Sequence, residues 1–153
     1  NNGDILLIYR INQKFGIATG IGMNELTDNG FNSLGNFYHE RTMIKIPLLA
    51  TMNYSVTEKS RIIGNFGFYG QNITKDEYRY INNLQKNIYD GWNFGFQLGL
   101  GYVFEMSENL NIGLNFTGQS DFSKFETKNN QLISDKQKLK NLNSIGILLV
   151  FNL

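Results

Sequence analysis

Few side chains in this sequence are equipped for chemistry. The single histidine, His39, stands beside Glu40 with Ser33 a short way upstream, and a base, a carboxylate and a hydroxyl are the minimum set for nucleophilic hydrolysis. Neighbours along an extended chain point to opposite faces, so Glu40 cannot orient His39 as a base. The residue reads as an exposed rim side chain, and the expected catalytic set is empty. Cysteine is absent, which removes thiol catalysis, thiolate metal sites and disulfides. The carboxylates lack any repeated ligand spacing, Asp76 and Glu77 reading as a solvated pair, so no metal is expected. Gly99 and Gly101 lie inside an alternating segment and not between a strand and a helix, so they form no phosphate loop and no cofactor is implied.

The elements that would carry these residues are strands. The 153 residues fit one domain, 1–153, with a single proline, 16 glycines, 12 phenylalanines and 8 tyrosines. No apolar run approaches the roughly 20 residues of a membrane helix, so any membrane insertion must be by a barrel. A formal charge of +1 from scattered basic residues gives no footprint for nucleic acid. The chain starts at Asn1 with no charged-then-apolar leader and reads as mature or truncated.

From 94 to 104, Phe94, Phe96, Leu98, Leu100, Tyr102 and Phe104 alternate with Gly95, Gln97, Gly99, Gly101 and Val103. Leu110, Ile112, Leu114 and Phe116 oppose Asn111, Gly113, Asn115 and Thr117. Ile145, Ile147, Leu149 and Phe151 close the chain in the same rhythm. Period two recurs earlier: Ile5 to Ile11, Phe15 to Met23, Ile44 to Tyr54, and Ile62 with Phe66 and Phe68. Pro47 falls on one of these segments, where its missing donor calls for an edge or a bulge. Connections alternate: residues 12–14, 56–60 and 107–109 are short, whereas 25–42, 72–93 and 120–143 are long and polar. Strands of about ten residues with short turns on one rim and long loops on the other match outer-membrane barrels. The expected fold is therefore all-β, an antiparallel up-and-down transmembrane β-barrel in the bacterial outer membrane, with short turns and carboxyl terminus periplasmic and long loops extracellular. A soluble lipocalin-like barrel, with the apolar face turned inward around a ligand, is the alternative that alternation alone does not separate.

Seven segments are visible, but such barrels close with an even number, about eight at the smallest. Eight strands are expected, the first missing before Asn1. The small-residue face carries Arg10, Lys45, Arg61, Gln97, Glu105, Asn111 and Asn115, a polar network for a narrow interior in which charges must pair. Arg61 and Glu105 fall near the same rim and are expected to meet. Tyr54 and Tyr102 near one rim, and Phe68, Trp92 and Phe94 near the other, read as interfacial aromatics. Phe31, Phe37, Tyr78, Tyr80 and Tyr89 fall in the expected loops, where they could cap the barrel or dock a partner.

The run HERTMIKIPLLATMNYS, then GNFGFYG, FGFQLGLGYVF and a terminal IGILLVF, resembles the PorT-like outer-membrane β-barrel proteins of Bacteroidota. The Ile46 to Leu49 core and Gly99, Gly101 and Tyr102 match its strands, with Lys45 where the family often has an acidic residue. Ser144, Gly146, Leu149 and Phe151 are similar to the signal by which barrel-assembly machinery recognises a last strand. The resemblance implies a non-enzymatic scaffold or accessory subunit of a larger assembly: type 9 secretion, barrel assembly or nutrient uptake. Outer-membrane lipid, including lipopolysaccharide, and a larger protein complex are the expected partners. A small channel, a surface-loop adhesin and a lipid-modifying enzyme are the alternatives.

Overall fold

The computed structural model describes residues 1–32, 35–81, 84–86, 89–124, 126–127 and 139–151. Among the described residues ten strands follow one another: β1 Asn2–Arg10, β2 Phe15–Asn32, β3 Gly35–Ser55, β4 Ser60–Tyr80, β5 Leu84–Lys86, β6 Tyr89–Asp90, β7 Asn93–Ser107, β8 Leu110–Asp121, β9 Glu126–Thr127 and β10 Leu142–Phe151. Seven of them form an up-and-down antiparallel sheet, β1-β2-β3-β4-β7-β8-β10, curled into a half-barrel. β5 adds to the far end of β4, and β6 pairs with β9. Alternation of β-branched and aromatic residues with small ones drives this arrangement, because each strand then offers one bulky face and one flat face to its neighbours.

The short connections behave as expected. Asn12 Oδ1 accepts from the backbone N–H groups of Lys14 and Phe15, both at 2.8 Å, and the Val56 N–H donates to Ser60 O at 2.9 Å. At the other end the expectation of long loops is corrected. β2, β3 and β4 run for 18, 21 and 21 residues, so most of residues 25–42 and 72–80 is strand. The polar composition there reflects paired polar side chains and solvent exposure, not loss of the backbone ladder. By contrast β8 has 12 residues and β10 has 10, so one wall of the half-barrel is much taller than the other.

Pro47 is a second correction. It lies in β3, a central strand, and no register shift occurs at it. The β2 to β3 ladder lapses at Gly20 and Ile21 and resumes in the same register, and the Pro47 carbonyl accepts from Thr19 Oγ1 at 2.9 Å. The threonine hydroxyl thus satisfies the Pro47 carbonyl where the β2 to β3 ladder lapses.

The two faces differ sharply. Ala18, Lys45, Leu49, Thr51, Tyr69, Gln71, Gln97, Val103 and Asn111 are buried on the concave face. Ile44, Ile46, Leu48, Phe66, Phe68, Phe96, Leu98, Leu100, Leu114 and Phe116 are exposed on the convex face. A small apolar core, Met43 and Ile73 with Leu26 against it, sits on the concave side where β2 to β4 begin to outgrow their neighbours.

Six antiparallel steps separate β1 from β10, so the two edge strands run in the same direction. Among the described residues no backbone ladder joins them; Asn2 Nδ2 donates to Ser144 Oγ at 2.9 Å across the gap. The convex side chains flanking the gap are covered less than those in mid-sheet, Ile5 at 81% and Ile145 at 80% exposed against 55% for Leu98. Each edge residue lacks a neighbour on one side.

Candidate functional site

The concave face is a polar network laced across the curl. Lys45, fully buried on β3, reaches Asp4 of β1 at 2.9 Å and donates to Gln97 Oε1 of β7 at 2.8 Å. Removing an ammonium from water is costly unless a counter-charge and hydrogen bonds replace the lost hydration, and Asp4 and Gln97 do both. Arg61 Nη2 donates to Asn111 Oδ1 at 2.6 Å. It shares a face with Glu105, but no ion pair joins them among the described residues, and Glu105 is exposed near the short-turn end. The neutral amide of Asn111, on the neighbouring wall, takes the guanidinium instead. Arg10 is exposed at the same end, and Asn115 Nδ2 donates to Thr117 Oγ1 at 3.2 Å. By strand register the seven residues share the concave face, and hydrogen bonds engage Lys45 with Gln97 and Arg61 with Asn111.

A second cluster on the same face was not anticipated. Asp121, at the end of β8, accepts from Tyr69 Oη at 2.7 Å, from Gln71 Nε2 at 2.9 Å, from Asn93 Nδ2 at 2.7 Å and from the Leu139 N–H at 2.7 Å. One level away, Asn24 Nδ2 donates to Gln71 Oε1 at 3.2 Å and to Gln119 Oε1 at 3.0 Å. The Leu139 carbonyl also accepts from the Asp121 N–H at 2.8 Å, so Asp121 fixes Leu139 beside the end of β8. Tyr69, Gln71, Asn93 and Asp121 form one set only once the strands are known to reach Asn93 and Asp121, both of which fall in the expected loops 72–93 and 120–143.

His39, expected as an exposed rim side chain, is instead half-buried within the tall wall. Thr74 is the extra residue where the β3 to β4 register shifts, and beyond it Asp76 and Tyr78 join Phe37, His39 and Arg41 on the concave face. His39 Nε2 lies 2.5 Å from Asp76 Oδ1, Arg41 Nε donates to the same oxygen at 2.9 Å, and the His39 ring stacks on Tyr78 at 4.0 Å. The carboxylate that engages His39 therefore comes from the next strand and not from Glu40. Glu40 is on the convex side, where it forms a quartet with Lys75 at 2.7 Å, Arg79 at 3.3 Å and, through both cations, Glu77. The hydrogen bond to Glu40, with its negative charge, raises the Lys75 ammonium above the ordinary lysine range. Ser33 lies outside the described residues, and among the described ones no three His, Asp or Glu side chains converge.

Of the aromatics, Tyr54, Phe68, Trp92, Phe94 and Tyr102 are all exposed; Phe68 packs edge-on against Phe122 at 6.3 Å and Tyr102 against Phe104 at 5.0 Å. Phe37 packs between Tyr78 and Tyr80 at 5.4 and 6.0 Å, so these three are strand residues on the tall wall. The Tyr89 side chain lies outside what the structure describes. On β10, Ser144 and Gly146 face inward, and Leu149 and Phe151 outward. No family model, curated protein or solved structure matches this chain.

Proposed function

We propose that this chain forms the wall of a transmembrane β-barrel of the bacterial outer membrane and serves there as a non-enzymatic scaffold or accessory subunit of a larger assembly. One observation carries the reading: the faces are inverted, with hydrogen-bonded polar groups inside and a continuous girdle of Ile, Leu, Phe and Met outside. Monomeric water-soluble proteins rarely expose apolar patches beyond a few hundred Å². A lipocalin-like barrel needs its apolar face within; hydrocarbon outside the wall favours the arrangement seen here.

Closure comes from an eighth strand before Asn1, running opposite to both β1 and β10. Direct pairing of these edges would be parallel, against the rest of the sheet. The PorT-like resemblance supports a place in secretion, barrel-assembly or uptake machinery, with the short turns periplasmic and the tall wall outside the cell. Lys45, Gln97 and Asp4 bridge the interior, which disfavours an open channel.

Fractionation followed by extraction in mild detergent tests both halves of this reading. The protein stays with outer membranes through an alkaline wash and elutes at a mass well above its own 17.5 kDa with a companion in fixed ratio. Release by the wash sinks the membrane reading; a lone species in mild detergent sinks the accessory one.

A further inference from the structure

An ionised carboxylate accepts hydrogen bonds and donates none, so Asp121 dictates how every amide wired to it must lie. Gln71 turns Nε2 toward it, 2.9 Å from Oδ1 and 3.1 Å from Oδ2, which leaves Gln71 Oε1 facing Asn24. Asn24 must answer with Nδ2, at 3.2 Å, and the same nitrogen lies 3.0 Å from Gln119 Oε1. One carboxylate on β8 thereby orients amides on β4, on β2 and again on β8.

That order leaves two atoms over. Asn24 Oδ1 and Gln119 Nε2 have no hydrogen-bond partner among the described residues, although Asn24 is 0% and Gln119 2% exposed. Turning the amides does not help: reversing Asn24 sets its oxygen against Gln71 Oε1, and reversing Gln119 sets its nitrogen against Asn24 Nδ2. Nor do the two atoms follow from where the sheet stops. Asn24 has strands paired on both sides, β1 and β3, and so has Gln119, with β7 and β10. A buried acceptor and a buried donor, held close by the bond between their own side chains, call for a group that donates to one and accepts from the other.

We propose that Asn24 and Gln119 form a site for one enclosed water, which donates to Asn24 Oδ1, accepts from Gln119 Nε2 and ties β2 to β8 through the interior. A metal cation does not suit the site, because Gln119 offers it a donor, and an anion does not, because Asn24 offers it an acceptor. Water serves both, and buried waters are held by polar groups that otherwise lack partners. The long Gln119 side chain can give way to admit it while Oε1 keeps Asn24. The hydrogen-bond wire then runs from Asp121 through Gln71 and Asn24 back to β8.

The test uses the intact isotope-labelled chain in a neutral detergent. The side-chain N–H protons of Gln119 show a through-space magnetic-resonance cross-peak to a long-lived water, yet exchange with solvent about a hundredfold more slowly than those of the exposed Gln13. Slow exchange separates an enclosed water from open hydration. In a crystal structure, density for a single water lies within hydrogen-bond distance of both atoms. A direct bond from Gln119 Nε2 to Asn24 Oδ1, exchange as fast as that of Gln13, or density showing a side chain or nothing between the two atoms would each overturn the proposal.

Discussion

Asp76 is where most of the tall wall's polar energy meets. Its side chain is fully buried and receives both His39 and Arg41, and Arg41 is itself nearly buried. Taking away a carboxylate that neutralises a largely buried guanidinium removes its counter-charge where little water can replace it, at a cost of about 3 kcal/mol. Asp76→Ala should therefore lower unfolding stability by that order in a denaturant titration. Glu40→Ala, in the more exposed quartet with Lys75 and Arg79, should cost less than about 1 kcal/mol, because solvent screens those ion pairs. Equal losses for the two would place the wall's stability elsewhere. The sequence set His39 beside Glu40 and correctly denied that pair a shared face, but the true partner is on another strand. Only the bulge at Thr74, which switches the parity of β4, brings Asp76 to His39, and bulges leave little mark in a single chain's composition.

At the scale of strands, alternation was legible because bulky outward residues and flat inward ones recur over ten or so positions in each segment. It stopped being legible where Met23, Ile44 and Gly70 give way to polar residues on both faces, although the backbone ladder continues for many residues more. Packing between strands depends on the flat residues. A Cβ built on Gly113 of β8 overlaps the Tyr102 carbonyl of β7, and one on Gly20 of β2 overlaps the Ile5 carbonyl of β1, so backbones approach too closely there for any side chain. Gly64 of β4 differs: its nearest neighbour would be Met52 Cε at 3.7 Å, the end of a flexible side chain. Gly113→Ala should abolish the compact, heat-modifiable band of the folded protein on gel electrophoresis, and Gly64→Ala should retain it. Loss of the band for both would show that any added methyl, and not backbone collision, is what the sheet rejects.

For the molecule as a whole, side-chain bridges cross the interior of the half-barrel. Lys45 crosses from β3 toward β1 and β7, Arg61 crosses from β4 to β8, and Asp121 gathers donors from β4, β7 and the returning chain. Each bridge would have to break for an ion to pass. Reconstituted into planar bilayers, the protein should show no steady conductance at any polarity, and open-channel steps in the wild type would refute the plugged reading. The unequal walls matter at this scale too. Seen from above, a barrel with loops of one height presents the same outline from every side. In the membrane setting proposed above, a body with a mast along β2, β3 and β4 would have a compass heading within the plane of the lipid, so a companion that grips the mast would fix the angle at which the remaining wall faces its surroundings.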